Sequence, residues 1–277
     1  MHSTASFLKE KAMNPKEMQV VSAVFSGYRP DRDVSRYYAD LLNRLAETLN
    51  INLLVFTNEP SLFSERAQTI TINDLKRYRQ LVWNDKDWVS TYHTNLGWHP
   101  KNRHLAQYRF DRLVEVYLSK LGLKVEAHRM VGDFLWLDAG LLNSVLGLNS
   151  DRFYSLQGFE RLRDLWRGDH GELTALIDRK SRLLKNHRPS FHGLSFNDMS
   201  KVARACGATP DEHYVVGGTA RVTQVMVAQI EKEASSVWEE VLKIGRAGTE
   251  ENILSVLRWK HNWNGESLEM LVDVVTS

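Results

Sequence analysis

The sequence predicts an α/β fold: a single domain on a mixed, mostly parallel central sheet flanked by helices, with a helix-rich second half. Three observations predict it. Gln19–Phe25 is a β-branched run, followed by an amphipathic helix and a second apolar run, Ile51–Thr57; strand, helix, strand at this spacing is a right-handed βαβ unit. Phe134-Leu135-Trp136-Leu137 is a continuous apolar run directly after a helical segment, the pattern of a strand buried on both faces. Glu212–Val216 is a further strand, running into Gly217-Gly218 ahead of a long helix.

The chain is long enough for this plan. Its 277 residues, 43% hydrophobic and 25% charged, support a sizeable core. A formal net charge of +2 argues against a general polyanion binder. One cysteine, Cys206, excludes an intramolecular disulfide framework and fits a reducing compartment. No stretch approaches the roughly 20 apolar residues of a membrane span. Met1–Lys16 has no apolar core of signal length. The expectation is a cytoplasmic protein with a flexible segment over 1–17 and one domain over 18–277.

In order, the first strand ends at Ser26-Gly27 and opens a polar loop, Gly27–Asp33, carrying Arg29 and Arg32. Asp33 or Ser35 caps a helix whose apolar stripe is Tyr38, Leu41, Leu42, Leu45 and Leu49. The second strand stops at Asn58-Glu59-Pro60, and Gln68–Ile72 alternates as a short third strand. Leu75–Trp98 is rich in aromatics and reads as amphipathic helix and loop over a sheet, with stacking on sugars or bases as the alternative. Gln107–Leu118 is a helix with Arg109 and Arg112 three apart on one face, and Gly122–His128 is expected to be a loop leading into the Phe134 strand. Ser150–Arg188 is dense in both charge signs and reads as a solvated helical face, with a local basic site as the alternative. His192–Phe196 is a short extended piece and Asn197–Cys206 a helix in which Cys206 is a small buried hydrophobe. Gly217-Gly218 reads as a turn whose backbone N–H groups could meet a phosphate. The helix after it carries Val222, Met226, Ile230, Ala234, Val237, Val241 and Leu242 on one side. Thr249-Glu250-Glu251-Asn252 is a helix start with acids favoured by the dipole, and His261–Gly265 reads as a loop.

There is no Gly-x-Ser-x-Gly elbow, no His-Glu-x-x-His pair and no cysteine cluster. What remains is Asp138 at the end of a buried strand, a double glycine, an acidic helix start and arginines in the early loop and in the helix before Asp138. A strand-end carboxylate sits where open α/β sheets bind ligands. One carboxylate can hold a hard cation when the ligand brings a diphosphate, and a second can take a proton from a hydroxyl. These needs match sugar transfer from a nucleotide donor.

The order of Val20–Phe25, the loop Arg29–Tyr38, Leu53–Asn58, Trp136-Leu137-Asp138-Ala139-Gly140, Val216-Gly217-Gly218-Thr219 and Glu250–Leu254 resembles the HtrL/WlaTC-type bacterial glycosyltransferase family. The resemblance spans most of the chain outside its charged middle and termini. It implies a GT-A-like fold, with a nucleotide-binding part over about 18–145 and an acceptor-side part over about 146–277. It implies donor binding by Arg32, Arg109, Arg112, Asp138, Gly217 and Gly218. It gives Glu250 or Glu251 the part of base or donor-sugar contact, and Asp138 with His261 the part of ligands to a divalent metal, manganese or magnesium. Gly140 departs from the usual GT-A pattern, in which a second acid completes an Asp-x-Asp pair, so arginine neutralisation of the leaving diphosphate is the alternative to a metal. The implied acceptor is a surface polysaccharide or other glycan. A modified DNA base, on the strength of Arg179–Arg188, and a non-catalytic nucleotide-sugar binder are the alternatives.

Overall fold

The computed structural model describes residues 18–27, 35–49, 51–80, 95, 110–137, 171–178, 190–191 and 193–267. In this part of the chain the strands are β1 (Gln19–Val24), β2 (Asn52–Thr57), β3 (Ala67–Thr71), β4 (Phe134–Leu137), β5 (Leu173–Asp178), β6 (Ser190–Phe191), β7 (Leu194–Ser195), β8 (His213–Val222) and β9 (Asn264–Ser267). The helices are α1 (Ser35–Leu49), α2 (Lys76–Gln80), α3 (Phe110–Val131), α4 (Phe196–Ala205), α5 (Gln224–Lys243) and α6 (Glu250–His261). The expected flexible segment, 1–17, lies outside the described residues.

Seven strands form one sheet in the order β3-β2-β1-β4-β8-β5-β9, and β6 pairs with β7. Strands β1 to β4 are mutually parallel, β8 is antiparallel to both its neighbours, and β9 is parallel to β5. The fold is therefore α/β with a mostly parallel sheet. This one sheet crosses the expected division near residue 145, since β8 hydrogen-bonds directly to β4.

Alternation sorts the core into two layers. Val20, Val24, Leu53, Val55, Leu135 and Leu137 face α1, which contributes Tyr38, Leu41, Leu42 and Leu45 as its stripe predicts. Val21, Leu54, Phe56, Phe134, Trp136 and Val222 face the other way, toward α3, α5 and α6. The predicted stripe is buried along α5 from Met226 to Leu242, but Val222, read as its first member, is instead the last residue of β8. Thr223 caps that helix, its hydroxyl accepting from the Met226 amide at 3.3 Å. Cys206 follows α4 half-buried, and burial pushes its thiol up, away from nucleophile character.

The structure corrects four expectations. The helix before β4 does not stop near Leu118 but runs through Gly122 to Val131. Gly122 is there for close approach: a Cβ at this position would overlap the carbonyl of Tyr78 in α2, and Ser119 Oγ donates to the Leu75 carbonyl at 3.1 Å along the same seam. Leu173–Asp178 is an interior strand, not part of a solvated helical face; its short apolar run is hidden by charges on either side. The His261–Gly265 tail is not all loop. Asn262 ends α6 in the left-handed conformation at φ 55°, Trp263 is buried, and β9 pairs with β5. Gly217 and Gly218 are not a strand-to-helix turn but lie inside β8.

Candidate functional site

The order β3-β2-β1 runs one way from β1, and β4 begins the run the other way, so the sheet has its switch point between β1 and β4. Open α/β sheets bind ligands outside the carboxyl ends of the strands at this point. Ser22 Oγ of β1 donates to the Leu137 carbonyl at 2.6 Å, tying the two ends together. Beyond β1, the Ser26 amide donates to Asn58 Oδ1 at 2.9 Å, and the Asn58 amide returns bonds to Ser26, so the loops after β1 and β2 are held side by side. Asp138 is the next residue after Leu137 and lies outside the described residues, as do Arg32 and Arg109. Arg112 belongs to the first turn of α3, and its side chain is also outside them.

The double glycine comes to this end of the sheet by register. Leu137 pairs with Thr219, so Gly218 and Gly217 continue past the last paired residue of β4. On the other side of β8, Thr174 pairs with Ala220 and Leu176 with Val215, leaving Val216–Thr219 opposite Ala175 alone. This is a β-bulge, a device that locally re-aims a strand and recurs beside binding sites. Two residues without side chains at that point keep the bulge open to a close approach.

Helix α6 reaches the same end. Ser255 Oγ accepts from the Val215 amide at 2.9 Å, and Trp259 Nε1 donates to the His213 carbonyl at 2.9 Å, so α6 runs antiparallel to β8. Its first residues lie about one turn, roughly 6 Å, beyond Ser255, level with Gly217. Glu250 and Glu251 thus stand level with the double glycine, at the start of α6. Both are buried. The capping box beneath them is Thr249 with Asn252, whose Oδ1 accepts from the Thr249 amide at 2.8 Å.

What faces these acids was missed in the sequence. Lys120 Nζ of α3 lies 3.0 Å from Glu250 Oε1, the lysine side chain 11% exposed and the glutamate 1%. Lys124, fully buried, holds its ammonium 4.0 Å from the centre of the Trp136 ring on β4. Burial pushes the Glu250 carboxyl up; the positive charge of Lys120 opposes this, Glu251 adds to it, and Lys124 opposes it again, without cancelling the rise. The cluster is two cations and two carboxylates under the switch point. Its sequence signal was two lysines four apart inside an apolar stretch, Leu118–Val125, where a solvated face would have no reason to lie.

His261 is not brought to this cluster. It ends α6, eleven residues from Glu250 and about 16 Å away along the axis. Its Nε2 lies 3.2 Å from Glu233 Oε1, and its ring stacks on Trp263. Burial raises Glu233, but hydrogen bonds and charge from Lys260 and His261 outweigh it and lower the carboxyl overall. The expected pairing of His261 with Asp138 on one metal involves a residue, Asp138, that lies outside the described residues. Among the described residues no group of three or more His, Cys, Asp or Glu side chains could hold a metal ion.

At the outer end of β8, Asp211 Oδ1 accepts from His213 Nδ1 at 2.9 Å and Oδ2 from Arg258 Nη1 at 2.7 Å. Burial works against the charge, yet the bonds from Arg258 and His213 outweigh it and hold the carboxyl at about 2. A carboxyl lowered on folding stabilises the fold above its ordinary value and ceases to do so as pH falls through the lowered one. Acid titration of stability should therefore show a loss between about pH 4 and pH 2. Asp211→Asn should flatten that segment of the curve, measured by denaturant midpoints at successive pH values.

These features define an α/β protein whose mostly parallel sheet has its switch point between β1 and β4. Among the described residues no helix is long and apolar enough to cross a membrane. Compared with known proteins, the chain matches no family model and no curated protein.

Proposed function

We propose that the chain is a glycosyltransferase of GT-A-like fold, moving a sugar from a nucleotide-diphosphate donor to a hydroxyl of a glycan acceptor. The observation that carries this reading is the convergence at one sheet end. Leu137, the residue before Asp138, the Gly217-Gly218 bulge on the neighbouring β8 and the first turn of α6 all stand at the same end of the sheet. In this reading Asp138 holds the donor diphosphate, directly or through manganese or magnesium, and the bulge gives the donor sugar room against the backbone. Arg32, Arg109 and Arg112 remain assigned to the donor phosphates on the resemblance alone. His261 leaves the site. Transfer breaks the bond from the anomeric carbon to the diphosphate oxygen and joins that carbon to the acceptor oxygen. The acceptor proton passes to a carboxylate, for which Glu251, less deeply buried than Glu250, is the choice.

One observation favours a second reading, a non-catalytic nucleotide-sugar binder. Glu250 is committed to Lys120 and sealed from solvent, which suits a wall better than a base. The DNA-base alternative rests on Arg179–Arg188, outside the described residues, and is not carried forward.

The test is release of nucleoside diphosphate over a panel of donors and glycan acceptors, with and without manganese. Asp138→Asn should lower kcat by about a hundredfold, the scale of losing one charge-stabilising group at a reacting centre. Unchanged turnover in that variant removes Asp138 from the mechanism. Tight donor binding without turnover on any acceptor selects the non-catalytic reading.

A further inference from the structure

We propose that Lys120 is a phosphate-binding cation of the switch-point crevice, and that Glu250 is the positioning residue that aims it. The inference rests on the site reading above and adds to it a ligand for the donor's diphosphate group.

Position is the first ground. Lys124 is fixed against Trp136, one residue before Leu137, where β4 ends. Helix α3 runs antiparallel to β4, so Lys120, one turn earlier, lies about 6 Å further in the direction in which β4 leaves the sheet. That places its ammonium beside the strand end, where the crevice begins.

Exposure is the second. Of the pair, the lysine is the member that reaches outward, 11% exposed, while the carboxylate behind it is sealed at 1%. A buried ion pair gives the fold little that two apolar side chains of the same volume would not. A sealed carboxylate gripping a cation at the rim has a clear use, because it fixes the ammonium in one place before a ligand arrives. The cluster is formally neutral, so what it offers a phosphate is direction: Lys120 is less deeply buried than Glu250 behind it and Lys124 one turn along α3.

The third ground is what the cluster leaves unmet. Glu250 Oε2 and Trp136 Nε1 are buried and have no hydrogen-bond partner among the described residues. Buried polar atoms are nearly always paired, and here the unmet carboxylate oxygen belongs to the residue that grips Lys120, leaving it able to accept from an additional group. With Gly140 two residues after Asp138, a single carboxylate follows β4. A fixed ammonium there lowers the charge of a leaving diphosphate whether or not a metal also binds.

The probes are inorganic pyrophosphate and uridine, guanosine and cytidine diphosphates, each titrated calorimetrically with chelator and with manganese. The variant is Lys120→Met/Glu250→Gln, which removes both charges together and is checked for folding by its melting curve. Wild type should bind at least one probe, and the folded double variant should bind it at least tenfold more weakly. Equal affinity in a double variant that melts like wild type overturns the inference and leaves the site reading standing. Failure of wild type to bind any probe overturns both. Should the double variant not fold, reductive methylation of the wild-type protein decides: pyrophosphate should slow modification of Lys120, and an unchanged rate overturns the inference.

Discussion

Gly122→Ala should lower the melting temperature by roughly 6–10 °C, the equivalent of about 3 kcal/mol in a chain of this size. Measured alone in a helix interior the change would help, since alanine is worth about 1 kcal/mol over glycine there. The surroundings reverse the sign. A Cβ at Gly122 meets the Tyr78 carbonyl, a backbone atom that cannot rotate aside. To accept the methyl, α2 must move off α3. Doing so disturbs Tyr78, buried between Phe56 and the helix seam, and the bond from Ser119 Oγ to the Leu75 carbonyl. Differential scanning calorimetry of the single variant reads the effect directly. An unchanged or raised melting temperature would mean that α2 is not seated as described.

The same glycine shows why the sequence was legible in some places and not in others. The β1-α1-β2 unit and the stripe of α5 follow from periodicity, because each element buries one face against a layer and so shows its period in the order of residues. Gly122 breaks no helix; it marks a long-range contact with Tyr78, 44 residues away, which no local rule contains. The strand Leu173–Asp178 was hidden for a related reason. It lies between β8 and β9 in the sheet, but those partners arrive 35 residues or more later in the chain, and charges flank it on both sides. The Gly217-Gly218 pair has the composition of a turn. Only the register with Leu137 and the bulge opposite Ala175 show that the strand continues through it.

At the site, the strand end before Asp138 was readable because a short apolar run meets a carboxylate there. The burial of Glu250 and Glu251 was not, since acids in a first helical turn suit the dipole equally well in water or under a sheet. What decides between these is the counter-charge, and Lys120 and Lys124 come from a helix more than 120 residues earlier. Sequence reasoning fastened instead on Arg112, in the first turn of that helix, and on Arg109, which lies outside the described residues. The lysines deserved the closer reading, because a charge repeated every four residues among leucines and valines has to be met by an opposite charge in the core.

That requirement sets the second large effect. Glu250→Leu should destabilise the protein by about 3–5 kcal/mol, the usual cost of removing one member of a buried ion pair. The change takes from Lys120 the carboxylate 3.0 Å away and puts an apolar group beside an ammonium that has little access to water. Adding Lys120→Met to the same chain should recover most of that loss, because two apolar side chains of similar volume no longer need each other's charge. Chemical denaturation of the two single variants and the double variant gives the coupling energy. Full additivity would mean the pair does not interact, contrary to its geometry. A double variant as stable as wild type would show instead that the fold does not depend on this pair. The reason for keeping two costly charges under the end of β4 would then lie with what binds there.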